Sequence, residues 1–390
     1  MQSTSARPIV MFGSTRRKFW DVNRQRHQEI VERLASARDV TYLELSVTRN
    51  PRLAGMRESL ANATSRRRNA GNFRRSEFML DVPGLRFVTP CVAPVREVPG
   101  IRWASKRSLL RQLVRLSGLC PPGEETVIWA CQPSDYVVDA IGAFNRAFVV
   151  YDVAQFYRHS THMEPRVSIH EDWLVRRADL VIVDSPHLAD LLNVPSERLL
   201  VVPQGVDAQL INEPRAAAGR QPIVGYLGSR NQAFDDHLFV AVAELLPTVT
   251  FELVGDFESP ASMPNVRALG PVPHEELASV LDRWTAGLIP YKVNDFTGGV
   301  LPTKVLEYLA RGCRVVSTSL PALESVAFPG IAYANGPEEF AASIRAALEN
   351  PLAAESLRSW LLGQTWDIRF DAIASRLAEM GVRVGGQSRE

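Results

Sequence analysis

The sequence predicts an α/β protein of two Rossmann-like domains in tandem, each an open parallel sheet with helices on both faces. Three observations predict it. Short β-branched runs alternate with longer amphipathic stretches along the chain, the pattern of strands joined by crossover helices. At 390 residues the chain exceeds one ordinary hydrophobic core and suits two. After V-P-Q-G-V-D a polar, turn-rich connector, INEPRAAAGRQP, interrupts the alternation, which then begins again. The domains are placed at 1–204 and 205–365, with 366–390 as a closing helix and tail.

In the first domain the strands fall at 8–12, 40–45, 85–88, 126–130, 147–151, 180–183 and 199–202, all short apolar runs rich in β-branched or aromatic residues. Residues 23–37 place Ile30, Val31 and Leu34 on one helical face. Residues 50–78 are basic and poor in large apolar side chains, and read as an exposed loop or a loosely held surface helix; they include Arg66, Arg67, Arg68, Arg74 and Arg75. The stretch before Ala178 reads as an amphipathic helix packing Trp173 and Leu174. In the second domain strands at 223–227, 250–254, 266–269, 287–289, 314–317 and 331–333 alternate with helices at 236–246, 275–284, 304–311, 338–349 and 353–361. Open parallel sheets bind ligands at the carboxyl ends of their strands, so two of them imply a cleft between.

An apolar fraction of 46% with 22% charged residues is that of a folded globular chain and excludes a disordered one. No run of eighteen apolar residues is present, which argues against a membrane-spanning helix, and the first fifteen residues do not read as a secretory signal. Cys91, Cys120, Cys131 and Cys313 form no C-x-x-C pair, so neither a cysteine-built zinc site nor a disulfide framework is expected, and a reducing cytoplasm is. The net charge of +1 conceals a division: residues 1–120 carry 23 Lys and Arg against 9 Asp and Glu, the remaining 270 carry 21 against 34. A basic first half suits an anionic membrane surface, nucleic acid or a phosphorylated acceptor; only four of the 44 basic residues are lysines, so arginine-rich composition alone is the plainer explanation.

The most informative segment is DFTGGVLPTKVLEYLARGCRVVS, residues 295–317. Thr297, Gly298 and Gly299 read as a loop whose backbone amides can approach a ligand. Pro302 suits the first turn of a helix, and Lys304 and Glu307 share one face of that turn. Free amides, helix dipole and a lysine together make a seat for a phosphate, while Glu307 can accept hydrogen bonds from a ribose diol. The plainer alternative is a solvated i,i+3 ion pair. Arg230, after Gly228 and Ser229 at a strand end, suits a phosphate ligand. Gly13 after the first strand reads as a loop whose backbone can approach a ligand. Arg16, Arg17 and Lys18 beside Phe19 and Trp20 form a basic and aromatic cluster suited to an acceptor or an anionic lipid surface, with Arg26 placed on the same side. His162, His170, Glu171 and Asp172 do not have the spacing of a compact helical chelate, and no metal is expected.

P-T-K-V-L-E-Y-L-A-R-G-C-R-V-V-S-T resembles the P-x-K-x-x-E-Y-L-A-x-G-x-P-V-V-S motif of GT-B glycosyltransferases, in the retaining, group 1 set. V-P-Q-G-V-D (202–207), I-V-G-Y-L-G-S-R (223–230) and N-V-R-A-L-G-P-V-P-H-E-E-L (265–277) are similar to further elements of that family, so the resemblance covers about 178–345. R-Q-R-H-Q (24–28) is similar to the W-Q-R-P-Q element of envelope-polysaccharide members. The resemblance implies two domains facing a cleft, a C-terminal helix around Trp366 and Phe370 that crosses back to the first domain, and transfer of a sugar from a nucleoside diphosphate donor. The acceptor it implies is lipid-linked or a glycan, the course retention, and the place the cytoplasm or its membrane face. No cofactor is implied, the nucleotide sugar being a substrate. Donor binding falls to Gly228, Ser229, Arg230, Thr297, Gly298, Gly299, Thr303, Lys304 and Glu307; catalysis to Asp152, Arg230 and Lys304. Two departures stand out. Gly299 occupies the place, eight residues before Glu307, where the family's commonest signature has a second glutamate. Asp152 is the carboxylate at hand after the fifth strand, and Gln155 stands where some relatives have an aspartate. A nucleotide-sugar 2-epimerase of the same fold and a non-catalytic basic binding module remain alternatives at this point.

Overall fold

The computed structural model describes residues 8–13, 24–44, 82–88, 126–142, 147–161, 166–212, 222–257 and 263–384, with 20, 100, 103–104, 106–109, 111, 144 and 163 besides, apart from position 143, 145–146 and 162. The connector 213–221, the stretch 50–78, Arg16, Arg17, Lys18, His162, Cys91 and Cys120 lie outside the described residues.

The first sheet contains β1 (Ile9–Gly13), β2 (Val40–Glu44), β3 (Leu85–Val88), β4 (Thr126–Ala130), β5 (Ala147–Val153), β6 (Leu180–Val183) and β7 (Leu199–Val201). The strands are parallel in the order β3-β2-β1-β4-β5-β6-β7. The second contains β8 (Ile223–Leu227), β9 (Thr250–Val254), β10 (Val266–Gly270), β11 (Ala286–Ile289), β12 (Arg314–Ser317) and β13 (Ile331–Tyr333), in the order β10-β9-β8-β11-β12-β13, again parallel. Each sheet reverses its winding once, between β1 and β4 and between β8 and β11. At such a switch point the flanking loops diverge to opposite faces and open a crevice.

Helices cover both faces of the first sheet. One face carries α1 (Arg26–Ala37), whose Ile30, Val31 and Leu34 pack on Ile9, Met11 and Trp129. The other carries α2 (Asp135–Ile141), α3 (Val167–Arg177) and α4 (Pro186–Leu192) over Ile128, Tyr151 and Val181. After the short α5 (Gln209–Asn212), the second domain adds α6 (Asp236–Leu245), α7 (Leu277–Leu281), α8 (Asp295–Gly298), α9 (Lys304–Ala310), α10 (Pro321–Val326), α11 (Pro337–Glu349) and α12 (Ala354–Leu362). The last helix, α13 (Trp366–Glu379), packs on the first domain. Its Ile373 and Leu377, followed by Val382 and Val384, are buried with Ile30, Leu34 and Trp129, and Arg33 bonds Asp367 at 2.8 Å.

Two predicted elements differ. The helix expected over 275–284 is a 3-10 turn, His274–Glu276, followed by the short α7. It ends early because Trp284 is drawn under the sheet, its Nε1 donating to Glu252 Oε2 at 2.8 Å. The loop expected at Thr297, Gly298 and Gly299 begins as α8, capped by the Asn294 side chain, which accepts from the Phe296 and Thr297 amides. The helices α4 and α10, each with proline in its first turn, span less than two turns and leave no periodic signal to read.

Two chain crossings join the domains and pair with one another. Val206 N donates to Gln364 O at 3.0 Å and Trp366 N to Val206 O at 3.2 Å. On the opposite side the carboxyl-end loops of the two sheets touch: Gln232 accepts from the Thr161 amide at 2.9 Å and donates to Ser160 Oγ at 3.1 Å, and the His187 amide lies 3.4 Å from Ser325 Oγ. The carboxyl ends of both sheets therefore face each other.

Candidate active site

The switch point of the second sheet holds the side chain that the sequence singled out. Lys304 opens α9 and reaches back beneath the loop that follows β8. Its ammonium donates to Tyr291 Oη at 3.0 Å and stands 4.1 Å from the ring centroid of Tyr226. Tyr226 comes from β8 and Tyr291 lies two residues past β11, so the cation sits between the two strands where the winding reverses. Burial weakens an ammonium, but the hydroxyls of Tyr226 and Tyr291 against it outweigh that, and Lys304 holds its proton above the ordinary lysine range. Gly228 completes the crevice. Its φ is +133°, which disfavours any side chain, and a Cβ there would stand 2.7 Å from Lys304 Nζ. Backbone and cation thus meet in a space that a methyl group would fill.

One turn further on, Glu307 faces the cleft between the domains. Burial raises its carboxyl pKa, with His274 and Lys304 lowering it and Glu29, on α1 of the first domain, raising it. Nearby, His274 Nε2 lies 3.3 Å from Asp207 Oδ2. That contact is the leading reason that the imidazole is held above its ordinary range and the Asp207 carboxyl below its own. Tyr226, Tyr291, His274 and Asp207 were not singled out from the sequence. Only their positions, at or just past strand ends and in the V-P-Q-G-V-D and V-P-H-E-E-L motifs, could have drawn attention to them.

Several other expected site residues lie elsewhere. Asp152 is fully buried rather than open to a substrate: its Oδ1 accepts from Arg26 Nε at 2.8 Å and its Oδ2 from Trp129 Nε1 at 3.3 Å. Arg26 is only 2% exposed and also donates to Val202 O at 2.7 Å, so it holds the interdomain crossing and is not on an acceptor or membrane side. Trp20 is likewise interior, edge-on to Tyr42 and Phe87 with its Nε1 donating to Glu32 at 2.7 Å. Gly13 is a packing position: the Tyr42 ring occupies the space its Cβ would need. Gly299 lies against Phe156 of the first domain, with a Cβ placed 2.6 Å from the Phe156 Cβ, and so serves the contact between domains. Thr297 turns inward, donating to Lys292 O at 2.5 Å. Arg230 is exposed, its Nε 2.8 Å from the Asp236 carboxylate, and Ser229 beside it is exposed too. Gly298, beside Pro321, and Thr303, which directly precedes Lys304, are half-buried. Among the described residues no three His, Cys, Asp or Glu side chains gather as a metal-binding set, and no helix is long and apolar enough to cross a membrane.

The floor of the cleft in the first domain is a buried polar cluster around the same crossing. Asp184, just past β6, accepts from Gln204 Nε2 at 2.9 Å through Oδ2, while its Oδ1 and Gln204 Oε1 are buried without a partner among the described residues. Burial pushes the Asp184 carboxyl up to about 7, against the pull of Arg26 and Gln204. An acid with a raised folded-state pKa loses protons first in the unfolded chain. Stability should therefore fall as pH rises from the unfolded value of 3.8 to about 7 and level off above. Asp184→Asn is expected to flatten that slope, measured as melting temperature against pH. An unchanged slope would assign the pH dependence to other groups.

Two parallel sheets with opposed carboxyl ends, joined by paired crossings, define the GT-B class of folds. Comparison with known proteins agrees. The family described as Glycosyl transferase-like matches residues 230–373. A Bacillus subtilis (strain 168) protein named for teichuronic acid biosynthesis, the glycosyltransferase TuaH, is 26% identical over 235 residues, 53% of this chain; the match spans 59% of that relative's length. Anabaena Alr3699/HepE, solved in complex with UDP, superposes with a TM-score of 0.62 at 14% identity, covering 96% of this chain and 100% of its own. The lipopolysaccharide outer core galactosyltransferase WaaB gives 0.62 at 9% identity, covering 96% of this chain and 99% of its own. The chain therefore has the GT-B fold, and its second domain is similar to glycosyl transferases.

Proposed function

We propose that the chain transfers a sugar from a nucleoside diphosphate donor to a lipid-linked or glycan acceptor during assembly of an envelope polysaccharide, at the cytoplasmic side of the membrane. The observation that carries this reading is the Lys304 ammonium, held at the switch point against Gly228. Breaking the bond from the anomeric carbon to the β-phosphate oxygen leaves negative charge on the diphosphate and positive charge on the sugar. A buried cation fixed before the reaction stabilises the first without reorganising. The Gly228 backbone admits the diphosphate beside it, and Glu307 accepts from the ribose diol. The relative named for teichuronic acid synthesis and the neighbour solved with UDP support an envelope acceptor and a uridine donor. Closure of the domains over the donor excludes water, so transfer outruns hydrolysis. With Asp152 withdrawn into the first domain, retention proceeds by attack on the face the diphosphate leaves, without a carboxylate from β5 as nucleophile.

A thermal-shift panel of uridine, guanosine, adenosine and thymidine diphosphate sugars tests this. One donor class should raise the melting temperature by mass action. Gly228→Ala should abolish that shift, because its methyl group collides with the Lys304 ammonium. The reading fails if no nucleotide shifts the protein, or if Gly228→Ala binds as well as the parent. Release of an epimerised donor in the absence of acceptor would replace transfer by epimerisation.

A further inference from the structure

We propose that Asp184 carries a proton in the folded protein and shares it with Gln204, closing an acid–amide ring that clamps the crossing between the domains, and that losing this proton unlocks the crossing. Gln204 belongs to the first crossing, and its Nε2 donates to Asp184 Oδ2 at 2.9 Å. The other oxygen of each side chain, Asp184 Oδ1 and Gln204 Oε1, is buried without a hydrogen-bond partner among the described residues. Two acceptors on side chains already joined by one bond need a donor, and a carboxyl proton is that donor. With it, Asp184 donates to the amide oxygen while accepting from the amide nitrogen, and both orphaned atoms are satisfied at once. Turned end for end, the amide would set Oε1 against Oδ2, which calls for the same proton.

A counter-charge does not take the proton's place. Arg26, on α1, is the cation that acts on Asp184, but its Nε donates to Asp152 and its Nη1 to Val202 O, while its Nη2 has no partner among the described residues. A guanidinium nitrogen and a carboxylate oxygen that are both unpartnered are not bonded to each other. Asp152, on β5, adds negative charge, and burial holds the Tyr157 hydroxyl well above its ordinary range, so that it stays neutral beside the site. Burial first, with Asp152 behind it, thus keeps Asp184 un-ionised up to about 7. The crossing itself is gripped along its backbone. Arg26 holds Val202 O at 2.7 Å, Arg369 Nε of α13 donates to Gln204 O at 3.2 Å, and Val206 pairs with Gln364. Ionised, Asp184 sets a charged oxygen against the amide oxygen and draws Arg26 from Val202 O, so two of these grips slacken together. Lys304 and Glu307 take no part, and the latch stands whether or not a nucleotide binds.

The test is hydrogen exchange and infrared spectroscopy of the full chain at pH 6 and pH 8, either side of about 7. Exchange rates are divided by those of the unfolded peptide at each pH. Protection of the Val202 and Val206 amides, which donate to Val183 O and Gln364 O, should fall about tenfold over that interval. That is the linkage expected when opening returns Asp184 to the ordinary carboxylate range. Asparagine keeps two hydrogen bonds to Gln204 without a titrating group, so Asp184→Asn should hold the protection seen at pH 6 at both values. The crossing amides should also exchange faster than those of Val181 and Ile182 in β6, the mark of a local opening. In the infrared difference between parent and Asp184→Asn, a carboxylic acid stretch should be present at pH 6 and largely gone at pH 8. The proposal is overturned if that band is missing at pH 6, or if protection at the crossing does not change with pH. It is equally overturned if Asp184→Asn follows the parent. Equal protection at the crossing and in β6 would also overturn it, since Asp184 would then act only through unfolding of the whole domain.

Discussion

Lys304→Met is expected to lower turnover on the nucleoside diphosphate sugar about 100- to 1,000-fold, the cost of removing one preorganised charge-stabilising donor from an active site. Methionine keeps the unbranched stem, so packing between Tyr226 and Tyr291 survives and the melting temperature should change little. The loss should fall on kcat more than on KM, because in the proposed reaction the charge opposite Lys304 grows as the diphosphate departs. Glu307→Ala should show the complementary pattern, a raised KM for the donor, since the proposed ribose contact would be made in ground and transition state alike. A Lys304→Met variant within about tenfold of the parent would remove the ammonium from the mechanism.

The second large effect is on stability. Asp152→Ala leaves the Arg26 guanidinium buried without its counter-charge, and breaking a buried pair from one side costs about 3–5 kcal/mol. Chemical denaturation should show that loss, and Arg26→Met added to Asp152→Ala should recover part of it, since a buried charge is then no longer stranded. The fraction that remains folded should turn over at nearly the parent rate. A variant with parent stability and lost turnover would return Asp152 to the catalytic role that its place at the carboxyl end of β5 suggested. Because Arg26 also holds the carbonyl of Val202, the destabilisation should be accompanied by faster proteolysis at the crossing between the domains.

The alternation of strand and helix was legible almost to the residue: β3, β4, β6, β8, β9, β12 and β13 begin and end where the apolar runs do. Their signal is local, a few β-branched residues bounded by turn formers, and tertiary contacts only reinforce it. Lys304 and Glu307 were legible for a related reason. A proline, a lysine and a glutamate within one helical turn form a pattern whose chemistry is carried in the backbone geometry of that turn. Asp152 was legible as a carboxylate after a strand, but its partner Arg26 is 126 residues away, and no local rule pairs them. Gly13 and Gly299 misled in the same way. Each glycine leaves room, and the sequence does not say whether a ligand or another side chain, here Tyr42 or Phe156, takes it. Trp20 in a basic stretch reads as an exposed aromatic, yet Tyr42 and Phe87, both distant in sequence, enclose it.

By itself the sequence determined two parallel-sheet domains, the rear one with a lysine-bearing turn at a helix start, because hydrophobic period and turn chemistry act over a few residues and survive in any context. Only the tertiary structure decided which charged groups face the cleft and which are paired within it. That outcome depends on whether an opposite charge or a ring from a remote strand arrives to offset the cost of leaving water.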